Sequence, residues 1–196
     1  MKWIVITSPD FVDGEELFIN RLFGRGLDLL HFRKPGASAE KCRSVIGKID
    51  TCWHHRIVVH DNFQLCSELN LGGVHLNGRN PIPPEGHKGM VSRSCHSLKE
   101  LEDFKDKCDY LTLSPIFNSV SKQGYMSAFT DEQLCNARDR GLIDGKVVAL
   151  GGVTLQNIPK IKAYGFGGVA ILGDVWQRIH DEDVDEYLID LRKALQ

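Results

Sequence analysis

The chain has 196 residues, 42% of them hydrophobic and 26% charged, values close to globular averages that exclude a disordered, collagen-like or coiled-coil polymer. This length supplies one sizeable core and is short for two ordinary domains, so a single domain over residues 1–196 is expected. Lys and Arg total 24 against 26 for Asp and Glu, a formal charge of -2, which removes the electrostatic ground for a nonspecific nucleic-acid partner.

The first β-branched and aliphatic run, Trp3–Thr7, reads as a strand and is followed by a helical pattern over Glu15–Phe23. Strand Leu27–Arg33 leads to helix Ala39–Ile49 behind the capping residue Ser38, and strand Arg56–His60 leads to helix Asn62–Leu69. After strand Gly73–Leu76, the segment Asn77–Gly89 holds three prolines and three glycines and is too broken for a full helix, so the fourth crossover is expected to be reduced. Strand Met90–Ser94 precedes helix Leu98–Lys105 behind Ser97, and strand Asp109–Leu113 precedes helix Asp131–Arg140 behind Thr130. Strand Lys146–Leu150, helix Leu155–Ala163 after Thr154, and strand Gly168–Leu172 complete the series. Most strands are continuous apolar runs, the pattern of parallel strands covered by helices on the outside.

No apolar stretch approaches the ~20 residues of a membrane span, and the N-terminus lacks a basic region followed by an apolar one, so a cytoplasmic location without membrane contact is expected. Cys42, Cys52, Cys66, Cys95, Cys108 and Cys135 form no CxxC pair and are expected to be reduced thiols in the core.

Strand followed by helix about eight times admits a closed (β/α)8 barrel or an open doubly wound sheet. No GxGxxG follows the first strand, so the expected fold is a single (β/α)8 TIM barrel with a reduced fourth helix. In a barrel, the carboxyl ends of the strands and the loops after them build the site. Those ends carry Thr7-Ser8, His31 and Arg33-Lys34, His60-Asp61, His75 to Asn80, Ser94 and His96, Ser114 to Lys122, Gly151-Gly152 and Gly173-Asp174. Basic, hydroxyl and glycine positions with Asp61 among them are the inventory of a phosphate pocket. Gly151-Gly152 and Gly173 would expose backbone N–H groups where helices start, which suits an anion, although tight β-to-α turns alone also use glycine. The loop from Ser114 places Ser119 and Ser121 before Lys122 and then Gly124, hydroxyl donors and an ammonium that suit a diphosphate.

In order and spacing these residues resemble the superfamily of thiamine-phosphate synthases and TenI thiazole tautomerases. The resemblance runs from Ile4-Val-Ile-Thr through Arg33, Val58-Val-His-Asp61, Gly73-Val-His-Leu76, Ser114-Pro-Ile-Phe117 with Ser119, Ser121 and Lys122, and Ala149-Leu-Gly-Gly-Val-Thr154 with Asn157, to Gly168-Val-Ala-Ile-Leu172. It implies a synthase that joins hydroxymethylpyrimidine diphosphate to hydroxyethylthiazole phosphate and releases diphosphate with Mg2+. By resemblance, Arg33 contacts the diphosphate, Asp61 binds Mg2+, Ser94 lies beside the pyrimidine, Ser119, Ser121 and Lys122 hold the diphosphate, and the backbone at Gly152 and Gly173 holds the thiazole phosphate.

The departures are equally specific. The family's Gln-x-Arg-x-Lys is His31-Phe-Arg33-Lys34-Pro35 here, its Asn-Asp pair is His60-Asp61, and Asn80 stands where a second metal carboxylate is expected. Asn80 can offer Mg2+ only a carbonyl oxygen. Such changes suit the sister activity, aromatising a carboxythiazole phosphate by proton transfer, with His31 or His60 as acid or base. A noncatalytic barrel that binds thiazole phosphate and regulates is a further alternative. The intact Ser119/Ser121/Lys122 loop favours the synthase. His75 is expected to be a hydrogen-bonded barrel-end residue. Small phosphorylated thiazoles and pyrimidines are the expected partners, with a homo-oligomer left open.

Overall fold

A computed structural model describes residues 1–118 and 128–196. Eight parallel strands, β1 (Lys2–Ile6), β2 (Leu29–Phe32), β3 (Ile57–Val59), β4 (Gly73–Leu76), β5 (Met90–Cys95), β6 (Tyr110–Leu113), β7 (Val147–Leu150) and β8 (Gly168–Ile171), close into a barrel in chain order, with β8 pairing back onto β1. Helices α1 (Glu15–Gly24), α2 (Ala39–Ile46), α3 (Gln64–Glu68), α4 (Leu98–Phe104), α5 (Asp131–Asp139), α6 (Ile158–Ala163), α7 (Gly173–Trp176) and α8 (Val184–Leu195) follow the strands. The expected barrel is borne out. So is the reduced fourth crossover, since residues 77–89 form no helix between β4 and β5.

The strands read as uniformly apolar because both faces are covered, yet the two faces differ in kind. On β1, Trp3 and Val5 point outward into the helix-facing core, while Ile4 and Ile6 point inward with Leu29, Val58, Tyr110, Val148 and Ala170. Two residues beyond an inward position the chain faces inward again. That period carries His31 after Leu29, His60 after Val58, His75 after Gly73, Ser92 after Met90 and Thr112 after Tyr110, and all five are buried. The inner layer nearest the carboxyl end is therefore polar; the histidines and Ser92 find hydrogen-bond partners there, while Thr112 Oγ1 is buried without one among the described residues.

Several boundaries moved. α2 stops at Ile46 and a separate 3-10 turn, Thr51–Arg56, reaches β3. The seventh crossover starts as a 3-10 turn, Leu155–Asn157, closed by Thr154 and Asn157. Ser38, Ser97 and Thr130 cap as expected, each accepting from the backbone N–H three residues on. α7 and α8 lie beyond the last expected element. α8 buries Val184, Leu188, Leu191 and Leu195, one face of a helix at 3.6-residue spacing. The cysteines are all free, but only Cys42, Cys66, Cys95 and Cys108 are buried; Cys52 is exposed and Cys135 intermediate, so a wholly internal set is corrected. Among the described residues no helix is long and apolar enough to cross a membrane.

Candidate functional site

A pocket opens where the carboxyl ends of the strands converge. Arg33, His60, His75, Arg79, Arg93 and Ser94 line it, with Leu150 and Leu172 on the side next to the glycine turns. It sits where barrels place their sites, and its cationic side chains come from the ends of β2, β4 and β5.

Its floor is a hydrogen-bonded histidine cluster. His31 Nδ1 lies 2.9 Å from His60 Nε2, and His31 Nε2 lies 2.5 Å from the Tyr110 hydroxyl. His75 sits between two hydroxyls, with Nδ1 2.8 Å from Ser92 Oγ and Nε2 2.8 Å from Ser94 Oγ. The partners assign the tautomers. Ser92 Oγ donates to Val74 O at 3.3 Å, so His75 carries its proton on Nδ1, donates to Ser92, and accepts from Ser94 at Nε2. Burial keeps the Tyr110 phenol protonated. It donates to His31 Nε2, and His31 Nδ1–H donates to His60 Nε2.

Burial also holds all three rings neutral. It pushes His31 down to about 3. His60 falls well below its ordinary value first by burial, then through His75, His31, Arg33 and Arg79, and His75 first by burial, then through His31, Arg93 and Arg33. A proton on any ring would be a charge taken out of water and set against the neighbouring rings and arginines.

The rim above is electrostatically crowded. Asp61 accepts from Arg79 Nη2 at 3.3 and 3.4 Å and from Asn80 Nδ2 at 2.9 Å. Asn80 Nδ2 also donates to His60 O at 3.1 Å. Both neighbours of that amide nitrogen are acceptors, so its orientation is fixed, with N–H toward Asp61. As placed, Asn80 turns its amide N–H rather than its carbonyl oxygen toward Asp61, so the two side chains as they stand do not fit a shared Mg2+ ion. Asn80 presents a donor, and the cation beside Asp61 is the Arg79 guanidinium. Arg33 is half-buried at this rim; burial lowers its pKa, the Arg79 charge lowers it further, and Asp61 opposes.

The lysine displaced from the family pattern has left the pocket. Lys34 Nζ is 2.5 Å from Glu15 Oε2 at the start of α1 and 2.8 Å from Asp10 O, and both side chains are buried. Its cation is spent on structure rather than on the rim.

Gly151 and Gly152 both adopt left-handed backbone, φ 96° and 63°. A Cβ on Gly151 would come within 2.8 Å of Pro115 Cα, and one on Gly152 within 2.3 Å of Asn118 O. The turn is thus demanded by its packing against the loop after β6, and Asn157 Nδ2 donates to Gly152 O at 2.7 Å. Gly173 opens α7. Ser119, Ser121, Lys122 and Gly124 lie outside the described residues.

The structure brings together Arg33, His31, His60, Asp61, Asn80 and Ser94. Sequence reasoning missed Arg79 as the partner of Asp61, Arg93 as a pocket wall, and Tyr110 and Ser92 as supports of the histidines. Period-2 counting from Leu29 and Met90 is the signal that would have turned His31 and Ser92 inward together; nothing local ties Arg79 to Asp61.

A closed parallel barrel with a cationic pocket at the carboxyl ends and left-handed glycine turns at its side places the molecule among (β/α)8 barrels with an anion-directed mouth. The chain belongs to the thiamine monophosphate synthase (TMP-TENI) family, whose profile matches residues 4–175. It is 41% identical to a thiamine phosphate pyrophosphorylase from Bacteroides thetaiotaomicron, covering 99% of this chain and 97% of that one with a TM-score of 0.90. A thiamine phosphate pyrophosphorylase from Pyrococcus furiosus, at 21% identity and a TM-score of 0.79, covers 99% and 95% and shares the fold. A thiamine-phosphate synthase of Parasynechococcus marenigrum is 26% identical over 94% of this chain, which spans only 54% of that relative.

Proposed function

We propose that the chain joins hydroxymethylpyrimidine diphosphate to hydroxyethylthiazole phosphate and releases diphosphate. The observation that carries this reading is Arg33 and Arg79 together at the mouth of a barrel of this family, with Arg79 paired to Asp61. Breaking the C–O bond to the diphosphate puts negative charge on the leaving group and positive charge on the pyrimidine methylene. Preorganised cations at the leaving end stabilise that separation. Arg33 and Lys122 are assigned to the diphosphate with Ser119 and Ser121, and Arg79 adds charge where the family pattern calls for metal. Ser94, held by His75, is assigned to the pyrimidine. Backbone at Gly151, Gly152 and Gly173 is assigned to the thiazole phosphate, whose nitrogen attacks without a strong base.

Incubation with both substrates should yield thiamine phosphate. Arg33→Ala and Lys122→Ala should each lower turnover by about 100-fold while leaving thiazole-phosphate affinity nearly unchanged, because they act at the other end of the pocket. Equal losses in turnover and thiazole binding would refute the assigned geometry. Formation of aromatised carboxythiazole phosphate instead, lost in His60→Asn, would move the assignment to the tautomerase. The neutral, buried His31–His60 pair gives that alternative its chemical basis.

A further inference from the structure

We propose that His31, His60 and His75 form a binding site for one divalent transition-metal ion of the zinc class in the floor of the pocket. One ligand nitrogen from each ring lies within 4.8 Å of the others, and all three residues are buried. The rings converge from three adjacent strands, with centroids 5.0 Å apart for His31 and His60, 4.9 Å for His31 and His75, and 4.2 Å for His60 and His75. Zinc–nitrogen bonds of about 2.0–2.1 Å need ligand nitrogens roughly 3.3 Å apart in a tetrahedral shell. The His31 Nδ1–His60 Nε2 separation of 2.9 Å already lies close to that spacing.

The outer groups are those a metal-bound histidine needs. His31 has its far nitrogen on the Tyr110 hydroxyl, and His75 donates its Nδ1–H to Ser92, which is anchored on Val74 O. Such partners fix ring orientation and tautomer. His75 Nε2 then presents a lone pair toward Ser94 at the pocket wall. On metal binding the His31–His60 hydrogen bond is exchanged for two coordinate bonds: the His31 proton passes from Nδ1 to Nε2, the Tyr110 hydroxyl turns to accept it, and the ring stays neutral.

Ligand type decides the metal. Three neutral imidazoles suit zinc, cobalt, nickel or copper and are poor partners for Mg2+, which takes oxygen. This site therefore differs in ligand chemistry from any ion at Asp61. Three protein ligands leave a fourth position, which opens toward the pocket between His60 and His75 and takes water. The proposal does not depend on which reaction the pocket performs.

The test uses untagged, chelator-stripped protein titrated with Zn2+ by calorimetry and with Co2+ by absorption. One ion per chain is expected, with the weak visible bands of four-coordinate nitrogen and oxygen ligation and no thiolate charge-transfer band. His75→Ala and the double variant His31→Gln/His60→Asn should each weaken Zn2+ by more than about 100-fold, beyond the 10–100-fold typical of outer-shell partners. If those variants do not fold, histidine side-chain NMR of the wild-type protein decides. Zn2+-induced shifts at His31, His60 and His75 support the site, whereas shifts confined to His54, His55, His87, His96 or His180 overturn it. Absence of stoichiometric uptake, uptake unchanged in the variants, or a thiolate band from the cysteines would also overturn it.

Discussion

His31 carries its neighbourhood in three contacts. Its ring accepts from the Tyr110 hydroxyl, gives its one N–H proton to His60, and is fully buried. Burial is the reason its pKa falls to about 3. The sign of the stability effect follows. Between its unfolded value near 6.5 and its folded value, the unfolded chain binds a proton that the folded chain refuses, so stability is full above pH 6.5 and drains away as pH falls. In chelator-stripped protein, the urea midpoint should drop between pH 6.5 and 4.5, and His31→Gln should flatten that slope by up to about 1.4 kcal/mol per pH unit. An unchanged slope would show that His31 is protonated in the folded chain. The sequence marked His31 and His60 as strand-end residues, but their mutual contact depends on the register His31↔Val58 between β2 and β3, which no local pattern specifies.

At the scale of elements, two junctions hold the mouth in shape. The first joins α1 to the end of β2 through Glu15 and Lys34. Burial raises the Glu15 pKa and lowers that of Lys34, while their mutual hydrogen bond and charge oppose both shifts. Removing one partner leaves a buried charge, so Lys34→Met should cost about 3–5 kcal/mol, and Glu15→Leu/Lys34→Met should recover most of it. Equal loss in the single and double variants, measured by urea unfolding, would mean that the pair itself stabilises the fold. The second junction packs the turn after β7 on the loop after β6. Gly152→Ala combines left-handed backbone with a Cβ against Asn118 O, and such backbone costs about 1–3 kcal/mol before the clash is counted. Thermal unfolding should fall by several degrees and thiazole-phosphate binding should weaken with it. A variant of wild-type stability would show that the loop after β6 yields freely. The glycines were legible from their spacing; that they answer to packing as well as to an anion was visible only when Asn118 came alongside.

Closure governs the whole molecule. β8 pairs with β1 over Lys2↔Gly168 to Val5↔Ile171, and α8 lies across that seam, its Arg192 2.9 Å from Asp28 and its Asp185 held by Arg21 and Arg25. The surface ion pairs contribute little individually; the apolar stripe of α8 does more. Leu188→Ala removes a fully buried side chain and should cost about 2–5 kcal/mol in chemical denaturation. A loss under about 1 kcal/mol would mean that the barrel closes without the helix.

The eight-fold alternation of apolar runs with capped helical segments, and the proline-rich break after β4, were sufficient in the sequence to select a closed barrel, because each signal is local and repeats. The same is true of Arg33, Asp61, Ser94 and the glycine turns as strand-end residues of a family pattern. Tertiary structure alone decided which of them meet. The inward period, acting on β2, β3, β4 and β6, gathers His31, His60, His75 and Tyr110 into one buried layer, and the loop after β4 brings Arg79 onto Asp61 and turns the Asn80 amide toward it. Those contacts join residues tens of positions apart, and their charge and tautomer states follow from burial, a property that belongs to the folded chain and to no segment of it.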